Sequence, residues 1–249
     1  MAEQIVVTGM VLASIPVGDY DRRVTILTKE RGKISAFARG ARRMNSPLMG
    51  VTNPFCFGRF KIYEGRTSNS IDSVEIDQYF QEITTDLDVV YYGFYFLELA
   101  DYYTYENMDA QNELNLLYAA FKALKKPEIP HDLVRYIVEL KMMVFHGSYP
   151  QMFHCGGCGT EEHLEYFGAA RGEVFCKDCG KSILDAVSMK QSTLYALQFI
   201  ITANVGKLFS FTVTPDVLNE LRVIMERLAL LSIDRELKSL EMLNLMTRL

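Results

Sequence analysis

The residues best suited to chemistry in this sequence are four cysteines in the stretch CGGCGTEEHLEYFGAARGEVFCKDCG. Cys155 and Cys158 form one CxxC pair, Cys176 and Cys179 a second, and residues 159–175 separate them. That spacing is the one expected of a four-thiolate zinc site. Two thiolates on a tight knuckle take adjacent corners of a tetrahedron, and the second knuckle closes it. Gly156, Gly157, Gly159 and Gly180 permit the backbone angles such turns use. Four thiolates leave no open position for water, so one structural Zn2+ is expected rather than a hydrolytic centre. A redox dithiol and a rubredoxin-like iron centre are the alternatives, although no βαβ unit of thioredoxin type surrounds either pair. His154 and His163 are close enough in sequence to be alternate ligands, but read more simply as surface groups. Cys56, in an apolar strand, reads as a buried small hydrophobe.

A second group is cationic. Residues 1–66 hold eleven Lys or Arg against five Asp or Glu, a net +6 in a chain whose formal charge is −5. Residues 67–154 carry −9 and residues 155–249 carry −2. A basic head on an acidic body points to a polyanion partner. Strand alternation sorts the side chains of this head into two faces. In CFGRFKIY, Cys56, Gly58, Phe60 and Ile62 face the core, and Phe57, Arg59, Lys61 and Tyr63 face out. In RRVTILTK, Val24 and Ile26 face in, and Arg23, Thr25, Leu27 and Lys29 face out. In GKISAFAR, Lys33, Ser35, Phe37 and Arg39 face out. Arg22 precedes the second of these runs, and Arg42 and Arg43 follow on what reads as a flexible loop. Cations interleaved with aromatics suit single-stranded nucleic acid, because cations track phosphates and rings stack on bases. The candidate DNA contacts are therefore Arg22, Arg23, Lys33, Arg39, Arg42, Arg43, Arg59, Lys61, Phe57 and Tyr63.

The elements that must position these groups fall into two textures. Ile5–Ile15, Arg22–Thr28, Lys33–Arg39, Phe55–Tyr63 and Ser70–Ile76 read as five short strands punctuated by glycine. Asp86–Asn107, Ala110–Lys125, His131–His146, Ser188–Asn204, Pro215–Leu231 and Arg235–Leu249 show helical spacing of apolar residues. Ser188 with Gln191 reads as a capping box, and Thr214 before Pro215 as a second helix start. The expected class is an α+β multidomain chain. A five-stranded OB-fold barrel spans 1–80, an α-helical bundle spans 81–249, and a four-cysteine zinc finger is inserted at 152–182.

Several functions lose support. There is no GxxxxGK[ST], GxSxG or HExxH, and an enzyme is not expected. No apolar run approaches the roughly 18 residues a membrane span needs, so no membrane partner is expected. The start MAEQIVVTGM reads as a strand rather than a signal peptide, and five cysteines do not suggest a secreted disulfide framework. A cytoplasmic protein is expected.

The run EQIVVTGMVLASIPVGDYDRRVTILTKERGKISAFARGARRMNSPLMG, the inserted CxxC pairs and the ending LSIDRELKSLEMLNLM together resemble the RecO family of DNA repair proteins. The resemblance spans nearly the whole chain and is most specific in DRRVTILTKERGKISAFARGAR and LKSLEML. It implies an N-terminal OB-fold, a helical bundle and a zinc finger found in some members. It implies binding of single- and double-stranded DNA without sequence preference, strand annealing, and loading of RecA onto strands coated by single-strand-binding protein. The implied partners are RecR, the acidic C-terminal tail of single-strand-binding protein, and RecF and RecA, in a nucleoid-associated protein. A different reading remains open: a zinc-ribbon scaffold for protein–protein assembly whose basic head binds an acidic partner.

Overall fold

A long first strand lets the sheet close on itself. In the computed structural model, which describes residues 3–246, β1 runs Glu3–Val17 and is bulged between Val11 and Ala13. Its second half pairs with β2 (Asp21–Thr28) and its first half with β4 (Phe57–Glu64), both antiparallel. β3 (Gly32–Ala38) pairs with β2, and β5 (Asn69–Gln78) pairs with β4. A short parallel contact between β3 and β5 completes a closed barrel in the order β1-β2-β3-β5-β4. Closure removes exposed strand edges. Val7, Val11, Val24, Ile26, Phe60 and Ile62 fill the interior. Gly9 and Gly58 face each other across β1 and β4. A Cβ at Gly9 would sit 2.5 Å from the Leu27 carbonyl oxygen, so the neighbouring backbone passes where only glycine fits.

Helices cover part of the barrel's outer surface. These are α1 (Gln81–Thr85), α2 (Leu87–Tyr103) and α3 (Gln111–Ala123). An aromatic cluster of Phe55, Phe80, Phe94, Phe96, Tyr118 and Phe121 joins the ends of the barrel strands to α2 and α3. Gly93 admits the Phe55 ring, since a Cβ there would lie 2.9 Å from it. This covering corrects one reading. Leu27, placed outside by alternation, is 0 % exposed, as is its register partner Met10. Both lie outside the barrel's own core cluster, on a face that is covered rather than open to water.

The expected helix 86–107 also ends early, at Tyr103. Residues 104–107 turn away and pair with the β2–β3 turn. The Lys33 N–H donates to the Tyr105 carbonyl, the Asn107 N–H donates to that of Arg31, and Gly32 bridges Glu106.

The described chain forms two compact units. The first runs up to Phe121 and regains the chain at Leu237, so α8 (Lys238–Met246) packs with α2. There the Ser239 N–H and hydroxyl both donate to Glu98 Oε2. The last expected helix is thus shorter at its start, and its end at 247–249 lies outside the described residues.

The second unit, Lys122–Glu236, is built on α4 (His131–Phe145), whose residues 133–143 are all buried. α4 packs with α6 (Gln191–Thr202) and α7 (Pro215–Ser232). Between α4 and α6 the chain makes a three-stranded sheet, order β7-β6-β8, of β6 (Leu164–Gly168), β7 (Glu173–Cys176) and β8 (Ala186–Ser188), with a short helix α5 (Lys177–Gly180).

The Thr214 cap is present, its hydroxyl accepting from the Val217 N–H. The Ser188 and Gln191 capping box is absent. Ser188 is the last residue of β8 and pairs with Tyr166. The start of α6 is held from another helix instead. Glu220 Oε2 accepts from the Lys190 N–H at 2.8 Å and the Thr193 hydroxyl at 2.5 Å. At the other end of α6, the buried Lys141 ammonium donates to the carbonyls of Ile200, Ile201 and Ala203. An acid at the N-terminus and a cation at the C-terminus both oppose the helix dipole.

Candidate nucleic-acid interface and candidate metal centre

The four cysteines converge. The Sγ atoms of Cys155, Cys158, Cys176 and Cys179 all lie within 4.8 Å of one another, and those of Cys158 and Cys176 are 3.8 Å apart. Four sulfurs about 2.3 Å from a central zinc would have edges of about 3.8 Å. The first knuckle is closed by the Cys155 N–H donating to the Thr160 carbonyl, with Gly159 in the left-handed region at φ 80°. The second knuckle runs from the end of β7 into α5. A Cβ on Gly180 would meet the Tyr166 ring at 2.5 Å, so this turn packs flat on β6.

The electrostatics agree with a cation. Burial pushes the Cys155 thiol up, but N–H groups of Cys176 and Gly157 aimed at its sulfur outweigh that and bring it down to about 6. Crowding by the sulfurs of Cys176, Cys155 and Cys158 pushes Cys179 up to about 12. A thiolate is thus favoured at Cys155 and opposed at Cys158 and Cys179, and a cation at the centre would relieve that crowding. His154 and His163 are both exposed, and the cluster consists of the cysteines alone among the described residues. Cys56 is buried in the barrel, with its thiol pushed up to about 11 by burial.

The cations of the barrel divide into two sets. Lys33 donates to the Asp101 carboxylate and carbonyl at the end of α2. Arg59 pairs with Glu75 at 2.8 Å and Lys61 with Asp72 at 3.6 Å, both across the β4–β5 ladder. Arg22, Arg23, Arg39, Arg42 and Arg43 form no ion pair among the described residues. They gather where the β1–β2 turn, the ends of β2 and β3, and the segment 40–50 meet.

That segment is not the flexible loop expected. Ala41 and Leu48 are buried in the barrel core. The Arg42 N–H and guanidinium donate to the carbonyls of Tyr20 and Gly18, and the Gly40 N–H donates to Asp21 Oδ1. The Arg22 guanidinium donates to the Met49 carbonyl, the Thr52 hydroxyl and Asn53 Oδ1. The Arg43 guanidinium lies over the Tyr20 ring, 5.0 Å from its centre.

The aromatics divide as well. Phe57 is half-buried, edge-on to Tyr118 of α3 at 5.0 Å. Tyr63 is 40 % exposed. Register places it in an outer row with Ile15, Arg23, Phe37 and Ser70, each paired with the next around the barrel. Two exposed residues escaped the sequence analysis as candidates: Tyr20 in the β1–β2 turn and Arg66 in the β4–β5 turn. Their signal was position, since each sits in a turn between predicted strands.

Comparison with known proteins completes the picture. Residues 1–80 match the family model described as Recombination protein O N terminal, and residues 84–241 match the one described as Recombination protein O C terminal. The chain belongs to the RecO family. Its relatives include the DNA repair protein RecO of Acetivibrio thermocellus, 29 % identical over 222 residues, which is 88 % of each chain. The DNA repair protein RecO of Desulforamulus reducens is 28 % identical over 95 % of this chain and 92 % of its own. That of Bacillus subtilis is 27 % identical over 88 % of this chain and 85 % of its own. RecO membership assigns the chain to DNA repair and recombination, and its four clustered cysteines fit a bound metal. Among the described residues, no helix is long and apolar enough to cross a membrane.

Proposed function

We propose that this chain is a recombination mediator that acts by holding DNA rather than by breaking bonds. Its barrel is read as an OB-fold, whose β2–β3 face and the loops β1–β2 and β4–β5 take oligonucleotides. The observation that carries this reading is the arginine set of Arg22 and Arg23 on β2 with Arg39, Arg42 and Arg43 on the β3–β4 connection that packs against the β1–β2 turn, with no carboxylate ion-paired to it among the described residues. Guanidinium groups that lack an internal counter-charge are free to neutralise phosphates. Arg66 and the exposed Tyr63 extend the track toward the β4–β5 turn. Lys33, Arg59 and Lys61 contribute less, because each already has an acidic partner.

Phosphate contacts read no sequence, so single and double strands are bound without preference for their bases. Neutralising two strands lowers their mutual repulsion and leaves base edges free to pair, which is the physical basis of annealing. We also propose loading of RecA onto strands covered by single-strand-binding protein, with RecR and RecF and through the tail of that protein; membership of the RecO family supports this part of the reading. Cys155, Cys158, Cys176 and Cys179 hold one structural Zn2+ that orders the β6–β8 module.

The test is annealing of complementary oligonucleotides, with and without single-strand-binding protein, beside salt-dependent binding of each. Annealing no faster than without protein, or binding indifferent to salt, would remove the reading.

A further inference from the structure

Apolar side chains surround the arginine cluster. Ile15, Val17, Tyr20, Met44 and Met49 are all exposed at the same end of the barrel, Tyr20 at 52 % and Met44 at 87 %. A duplex turns its phosphates outward and keeps its bases stacked inside, so apolar groups beside a purely phosphate-binding surface would gain nothing. A single strand presents unstacked bases as well as phosphates, and every base has an apolar face.

The Tyr20 ring is held for such contact. Its backbone is tied to the 40–50 segment through the Arg42 N–H, and one side of the ring is met by the Arg43 guanidinium at 5.0 Å. A cation over an aromatic face is attracted to it, which favours this orientation of a ring that is still half exposed. Met44 follows Arg43 in the same segment and is exposed, unbranched and able to fit any of the four bases.

We propose that Tyr20, backed by Arg43 and supplemented by the exposed Met44 that follows Arg43 in the chain, is a base-stacking platform that makes this end of the barrel favour single strands over duplex. The proposal rests on the nucleic-acid reading above and adds strand discrimination to it. The arginines hold both forms of DNA; the ring and the methionine meet only unstacked bases.

The experiment is fluorescence anisotropy of a labelled single strand and of the matching duplex at one salt concentration, with the full chain. Tyr20→Ala should weaken single-strand binding about tenfold and duplex binding less than about twofold. Tyr20→Phe, which keeps the ring, should leave both within about twofold, and equal unfolding midpoints for the two variants separate stacking from misfolding. Equal losses on both ligands, or no loss on the single strand, would overturn the platform. Arg42→Glu with Arg43→Glu distinguishes the levels. If that pair weakens both ligands while Tyr20→Ala moves neither, stacking fails and DNA binding stands. If that pair moves neither, the nucleic-acid reading fails with it.

Discussion

Cys56 shows how a buried side chain with no contact to any ligand still leaves a measurable trace. Its thiol lies in the barrel core, and burial raises it from 9.0 to about 11. The unfolded thiol ionises first as pH rises, so the stability it contributes is complete below about pH 9 and is lost through about pH 11. Between about pH 8 and about pH 10.5 the loss should reach about 2 kcal/mol. Urea denaturation of the natural protein and of Cys56→Ala across that range isolates it, because tyrosines and lysines cancel in the difference. Lys141 is the complementary case. Replacing it with Met would leave three helix-terminal carbonyls without their donor, and should cost about 1–3 kcal/mol in denaturant unfolding. Lys141 could not have been found from sequence, since a lysine in an apolar helix reads as a stray charge until the end of α6 is seen above it. Leu27 and Phe57 were misjudged or only half legible for a related reason. Period-two alternation reports two faces of a strand, but not which face another element covers.

The helices show where local signals suffice and where they fail. The start of α7 was legible because Thr214 and Pro215 act within one turn. The start of α6 was not, because Glu220 reaches it from 27 residues beyond Thr193. Glu220→Ala should therefore destabilise the second unit by about 1 kcal/mol, and Ser188→Ala should stay within about 0.5 kcal/mol. Opposite results in chemical denaturation would return the cap to Ser188. The convergence of the four cysteines was legible in the sequence, since two CxxC pairs carry their own geometry. The three-stranded sheet around them was not, because β8 is only three residues long. Chelation should raise amide exchange across residues 150–189 and leave the barrel strands protected; unchanged exchange after verified metal loss would mean that the sheet holds the knuckles without help.

For the whole molecule, the useful quantity is how the charge of the first 66 residues divides. The sum of +6 was plain in the sequence. Its division was not, because the partners Glu75, Asp72 and Asp101 lie on other elements. Arg42→Glu with Arg43→Glu should make the plot of log affinity against log salt shallower by about 1.4 on single strands. Arg59→Ala should leave affinity within about twofold, since Glu75 already balances it. If both changes flattened the slope alike, the strand face and the loop would count as one surface.

The return of α8 to the first unit also bears on how the protein is made. Glu98 of α2 meets Ser239, 141 residues further along the chain. A growing polypeptide emerges from its N-terminus onward, so the barrel and its first helices leave the ribosome long before the segment that completes them. Until synthesis reaches that segment, α2 presents an uncovered flank to the cell. Emergence of α8, not of the barrel, is the moment at which the first unit becomes whole.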